Sequence, residues 1–150
     1  MDSITLQSPD DVSALIQALP AADRRRLVAD VTDDGDYVIA VPADLAAAVS
    51  AVDLPSARLA VLKAAAVSAI DTHVEATART RGYNSASACA SYIMSTNAIW
   101  SAEAEVFVAW RDAVWAAAFS LFGSVQSGAA TVPTIETVIA GLPVIQWPET

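Results

Sequence analysis

In the second half of the chain, apolar residues recur at helical spacing over many consecutive turns. From Ala57 to Arg81, the residues Leu59, Leu62, Ala66, Ile70 and Val74 follow at steps of three or four. A helix with that spacing carries one apolar stripe. Leu54-Pro55 breaks the chain ahead of it and Ser56 is its expected cap. Arg79 and Arg81 suit the negative end of its dipole, Gly82 suits a left-handed cap, and Tyr83 can fold back onto the last turn. After a short helix from Asn84 or Ser85 through about Met94, Ser95-Thr96-Asn97 marks another break. A second long helix is predicted from Ala98 to Gln126, with Gly123 and Gly128 loosening or ending it. At ~1.5 Å per residue it is roughly 40 Å long, close to the first. Two such helices pack most simply as an antiparallel pair, with the short helix in the corner. Thr134 caps a last short helix to about Ala140, and Gly141-Leu142-Pro143 stops it. Val144 to Pro148 is then an extended tail with an apolar anchor.

The first third of the chain has a different rhythm. Ser8-Pro9-Asp10-Asp11 opens a short helix to Leu19: a serine cap, a proline in the first turn, and acids at the positive end of the dipole. Beyond Pro20, Ala21 to Val31 is predicted to form a second short helix, and Thr32 to Asp36 a turn. Tyr37-Val38-Ile39-Ala40-Val41 is the one good strand candidate of this half. It needs a neighbour, either Ile4-Thr5-Leu6 or another chain. Pro42 and Asp44 open a further short helix through about Val52. The expected fold is mainly α: an antiparallel pair of long helices with short flanking helices, plus a small N-terminal α/β region with one or two short strands. The expected division is a small N-terminal region over 1–54 and a helical-hairpin module over 55–150, with a seam near Asp53-Leu54-Pro55.

Residues 98–126 carry more apolar surface than one stripe. At about 100° per residue, Trp100, Phe107, Val114, Leu121 and Val125 share a face, with Trp110 at its edge. Trp115, Phe119 and Phe122 make a second face, and Arg111 falls on the seam between the two. One face suits the other long helix. The second suits a different chain or the N-terminal region; on the first of these, Trp115, Phe119 and Phe122, with Ile145 and Trp147 of the tail, are the expected partner-binding residues, since aromatic side chains are effective anchors in interfaces. Arg111 and Asp112 are neighbours pointing about 100° apart, so they are not expected to bridge each other.

Composition narrows the function. The chain has 150 residues, which fits one domain or a modest core with an appendage. It is 55% hydrophobic and only 17% charged, against roughly 25% charged in an average domain. So little charge beside so much apolar surface points to burial against a partner. The net charge of −9 repels nucleic acid and anionic lipid, so neither is an expected partner. Arg24-Arg25-Arg26, flanked by Asp23 and Asp30, is expected to be a solvated face. Cys89 is the single cysteine, which rules out an intrachain disulfide and a cysteine-based metal cluster. The N-terminal Met-Asp-Ser-Ile-Thr lacks the pattern of a signal peptide. The apolar run Ala113 to Val125 falls short of the ~20 residues that span a bilayer, so no membrane association is expected. The expected compartment is a reducing cytoplasm or a particle assembled there.

No motif for catalysis emerges. His73-Val74-Glu75 is similar to the His-x-Glu of zinc deaminases, but that chemistry needs paired cysteines. Asp71, His73 and Glu75 are wrongly spaced for a metal, and His73 is expected to be a partly buried structural residue. Cys89 sits among small residues suited to close helix packing, with no local support for a thiol–imidazole dyad with His73. Asp30 to Gly35 has a faint likeness to a calcium loop, yet the twelfth position is Val41, where a bidentate Glu is required. Glu103 and Glu105, two apart on a helix, point away from each other. The expectation is a protein that is not an enzyme and takes no cofactor or metal.

Four motifs carry a family resemblance: Arg81-Gly82-Tyr83, Ser95-Thr96-Asn97, Trp110-Arg111-Asp112-x-Val114-Trp115, and Leu142-Pro143 followed by Trp147-Pro148. Over about residues 65–149 they make the chain resemble the C-terminal region of small tailed-bacteriophage proteins encoded with tail or tail-fibre genes. A terminal Trp-Pro is also seen in tail-fibre assembly chaperones. The resemblance implies a non-enzymatic structural component of the virion tail, fibre or baseplate, acting through protein–protein contacts. The alternative it implies is an assembly chaperone that binds the fibre and is not retained. Its partners would be other phage tail or tail-fibre proteins, with a homo-oligomer as a further possibility, and its location the virion tail or the host cytoplasm during assembly. The family has no catalytic residues to carry over.

Overall fold

The computed structural model describes residues 2–149. By internal contacts the chain forms two compact units, Met1–Lys63 and Ala64–Thr150.

The first unit opens with strand β1 (Asp2–Leu6) and helix α1 (Pro9–Ala18). Ser8 caps α1: its hydroxyl accepts the Asp11 N–H at 3.2 Å and donates to the Asp11 carboxylate at 3.0 Å. A single turn, α2 (Ala21–Arg24), precedes strand β2 (Val28–Val31) and strand β3 (Tyr37–Val41). The helix expected over Ala21 to Val31 therefore ends after one turn. Its second half is a strand, because pairing with β3 outweighs the helical propensity of the preceding Ala and Arg residues. The sheet is antiparallel with order β1-β3-β2, in register at Ile4↔Ile39 and Ala29↔Ile39. β3 takes β1 as its expected neighbour and β2 as an unexpected one.

Leu6, Leu15, Leu19, Leu27, Ile39, Val41, Leu45 and Val49 form the core of this unit. Leu45 ends a 3₁₀ turn (Ala43–Leu45), and Val49 lies on α3 (Ala46–Ser50), which stops short of the expected Val52. The long helix α4 (Leu54–Thr80) follows. Leu54-Pro55 begins α4 rather than breaking the chain before it; a proline fits a first helical turn because no N–H is needed there. Ser56 lies inside α4, and its hydroxyl donates to Asp53 at 2.5 Å. Arg58 of α4 forms an ion pair with the buried Asp11.

The second unit contains the rest of α4, then α5 (Ala86–Ser91), a 3₁₀ turn (Tyr92–Met94), α6 (Ala98–Gln126) and α7 (Ile135–Ala140). Caps stand where the side chains predict them. Ser85 accepts the Ala88 N–H, Asn97 accepts those of Ile99 and Trp100, and Thr134 accepts that of Thr137. Gly82 sits at φ 102°, the left-handed geometry that closes α4. The Tyr83 N–H then reaches back to the Ala78 carbonyl at 3.2 Å.

The two long helices are antiparallel. His73 of α4 meets Trp110 of α6, while Arg81, further along α4, meets Glu103, earlier on α6. Ala66, Ile70, Val74 and Ala78 are buried on α4, and Ala104, Phe107, Trp110, Val114, Ala118 and Phe122 on α6. Alanines are interspersed among larger residues along both stripes, which allows close approach of the helices at those points. Cys89 is buried among them, and burial pushes its thiol up to about 11. A thiol with a pKa near 11, where an ordinary one titrates near 9, holds about a hundredth of the thiolate at neutral pH. The native protein should therefore react with an alkylating agent at least about 100-fold more slowly than the urea-unfolded chain. Equal rates, followed by mass spectrometry, would contradict this burial.

Candidate interaction surface

Polar chemistry in the second unit converges on Glu103. This carboxylate is 6% exposed. Arg81 donates to it from Nε at 2.8 Å and holds a second contact from Nη2 at 2.5 Å. The Tyr83 hydroxyl donates to its other oxygen at 2.7 Å. Burial first, and the Glu103 hydrogen bond second, push the Tyr83 phenol above its ordinary range, so it remains a donor. The turn at Gly82 is what places Arg81 and Tyr83 on either side of one carboxylate. The Arg81 guanidinium balances the buried charge, and both carboxylate oxygens have a hydrogen-bond partner.

Glu75 anchors the next corner. It accepts the Ala86 N–H at 2.8 Å and a hydrogen bond from Arg79 at 2.9 Å, and both hold its carboxyl below the ordinary glutamate range. A depressed pKa of this kind contributes stability above the usual range that is lost as acid protonates the folded form.

The C-terminal tail is fastened to the same unit. The Trp110 indole N–H donates to the Pro143 carbonyl at 2.8 Å. Trp147 stacks on Phe107 with centroids 6.1 Å apart and planes 7° from parallel. The Arg81 guanidinium lies 5.5 Å from the Trp147 ring centre, a cation–π contact. Trp147 and Ile145, both expected to bind a partner, are half-buried.

A cluster of apolar side chains lies uncovered on the other side of Tyr83. Tyr83 packs on Tyr92 at 5.7 Å, and Tyr92 meets Trp100 edge-on at 5.3 Å. Tyr92, Ile93, Met94, Ile99 and Trp100 are all exposed, Met94 at 88%. A hollow of ≈230 Å³ is lined by Arg81, Gly82, Tyr83, Tyr92, Trp100 and Glu103. Sequence reasoning missed this cluster because it placed Trp100 with Phe107 on the packed face and ran the short helix through Met94. The signal was the apolar run Tyr92-Ile93-Met94 beside a polar break, with no helical period to bury it.

The second aromatic face of α6 is split. Trp115 and Phe119 lie 5.9 Å apart, and Phe119 and Phe122 6.5 Å apart. Phe119 is 64% exposed and Trp115 half-buried, while Phe122 is buried. Phe122 lies five full turns beyond the buried Ala104 and points the same way, so the buried arc of α6 is wide enough to take in one edge of the face assigned to a partner.

Arg111 and Asp112 correct another expectation. Arg111 Nε and Nη2 donate to Asp112 Oδ1 at 3.3 and 3.1 Å. The long arginine side chain folds back along the helix surface, overcoming the divergence of the two Cβ directions. Such exposed pairs contribute little to stability, about 0–1 kcal/mol.

α6 as a whole is long and apolar enough to cross a membrane, with mean hydropathy 1.3 over an 18-residue window that is 28% buried. The expectation based on Ala113 to Val125 alone undercounted it. Arg111 and Asp112 stand near its middle, where lipid costs each charge about 2.5–3.5 kcal/mol.

Among the described residues no group of three His, Cys, Asp or Glu side chains is gathered to hold a metal. None of their buried polar side-chain atoms lacks a hydrogen-bond partner. His73 is half-buried, with its ring 5.7 Å from Trp110, so it serves packing. Comparison of the chain with protein-family models, curated proteins and solved structures gives no match in any of the three.

Proposed function

We propose that the chain is a non-enzymatic component of a bacteriophage tail, fibre or baseplate that works by protein–protein contact. The supporting observation is the uncovered cluster of Tyr92, Ile93, Met94, Ile99 and Trp100. Water contact with so many adjoining large apolar side chains is unfavourable, and aromatic and methionine side chains are those that interfaces favour. The motif resemblance over about residues 65–149 supplies the context of a phage tail. Glu103 ties Arg81 and Tyr83 together beside the cluster, and such ties lower the ordering entropy that docking must overcome.

Quantitative mass spectrometry of purified virions tests the reading. A virion component is present in a fixed stoichiometric ratio to the other tail proteins. Abundance in infected cells combined with absence from virions would overturn it in favour of the assembly chaperone.

A further inference from the structure

We infer that strand β2 is a docking edge for a second copy of this chain, pairing antiparallel with its own equivalent. The inference concerns the first unit only and does not depend on the tail assignment.

The backbone defines the edge. β2 is the outer strand of the order β1-β3-β2. The Thr32 N–H donates to the Asp36 carbonyl at 2.8 Å, so the even-numbered residues of this strand direct their peptide groups toward β3. In an antiparallel ladder the alternate residues direct theirs outward, so Ala29 and Val31 present theirs on the open side. The Val31 N–H is met there only by the neighbouring Asp30 carboxylate, at 2.9 Å, a local substitute for a strand.

The side chains define the partner. All four residues of β2 are exposed, including Val28 at 63% and Val31 at 57%. Ala29 and Val31 lie on the face of the sheet that buries Ile39 and Val41, yet they remain uncovered. An apolar, uncovered edge is a template for another strand. Its charges are self-complementary. Arg24 is used by the Gln17 and Leu19 carbonyls and Arg26 by Asp23 and Asp44, but the guanidinium of the exposed Arg25 has no hydrogen bond or ion pair among the described residues. At the far end of the strand, Asp33 and Asp34 are exposed and equally unpaired. Antiparallel self-pairing brings the cation of each copy to the carboxylates of the other.

The register follows from the same constraints. Outward peptide groups must face outward peptide groups, so the two-fold axis falls on an odd-numbered residue or between two of them. An arrangement placing Ala29 opposite Val31 sets Asp30 against Asp30, which like-charge repulsion opposes. Centring on Ala29 sets Asp30 against Val28 and Val31 against Leu27. Each Val31 then extends the buried cluster that includes Leu27.

The test is sedimentation velocity on the full chain from about 1 µM to about 1 mM, a range that spans tight to weak association. The expected result is a concentration-dependent monomer–dimer equilibrium. Ala29→Pro removes an outward N–H that the intrachain ladder does not use, and should weaken the dimer at least about 10-fold. Arg25→Asp should weaken it severalfold, and Arg25→Asp combined with Asp33→Arg should restore it, so the charge pair keeps the test decisive even if the proline variant misfolds. A monomer at every concentration overturns the proposal. So does a dimer whose affinity is unchanged in folded Ala29→Pro and in Arg25→Asp, because association would then use another surface, such as the Tyr92–Trp100 cluster.

Discussion

Phe107→Ala is expected to cost about 3–5 kcal/mol of folding stability, among the largest effects of any single substitution in this chain. Phe107 is fully buried. Its ring lies 5.7 Å from Trp110 on α6 and carries the stacked Trp147 of the tail. Removing it leaves a cavity between two tryptophans that cannot close without moving α6 or the tail. It also removes the platform on which Trp147 rests, so a change in tryptophan fluorescence should accompany the loss. Urea denaturation followed by fluorescence and by circular dichroism measures both. A loss below about 1 kcal/mol would mean that the site collapses freely and that the tail does not depend on it.

The second large effect is expected at Glu103. Glu103→Ala leaves the Arg81 guanidinium and the Tyr83 hydroxyl without their shared carboxylate. Breaking a buried pair by removing one partner costs about 3–5 kcal/mol, and partial exposure of Arg81 places this site near the lower figure. Tyr83→Phe removes one hydrogen bond and leaves the ion pair, so it should cost about 1 kcal/mol. The contrast between the two separates the pair from general packing. Equal losses for the two variants in the same denaturation assay would show that Arg81 does not rely on Glu103.

Both effects fall on residues whose elements are legible in the sequence, for local reasons. α6 begins after Asn97 because an asparagine side chain can satisfy its first N–H groups. α4 turns at Gly82 because only glycine adopts that backbone readily. Both signals lie within a few residues of the feature they specify. β2 was not legible for the opposite reason. Nothing within Val28 to Val31 outweighs the helix-favouring residues before it, and the strand exists because β3 lies alongside. The site divided in the same way. The aromatic excess of α6 was visible, but which of its rings remain uncovered depends on how wide an arc of the helix its neighbours bury. Phe122 was drawn inside and Phe119 left out. The Tyr92–Trp100 corner depends on how a 3₁₀ turn meets the first turn of α6, a geometry that helical periodicity does not describe. Arg111 bonding to Asp112 depends on side-chain reach, which Cβ directions ignore.

The central claim is that the uncovered corner is an interface, and oxidative footprinting of Met94 tests it most directly. Met94 is almost fully open in the isolated chain, and its thioether reports solvent contact through conversion to the sulfoxide. The free protein and purified tail particles are exposed to the same hydroxyl-radical dose and digested, and the peptide containing Met94 and Trp100 is quantified. Strong protection of both residues in the particle is expected, about 10-fold or more for Met94. Equal oxidation of Met94 in the free and assembled states would contradict it.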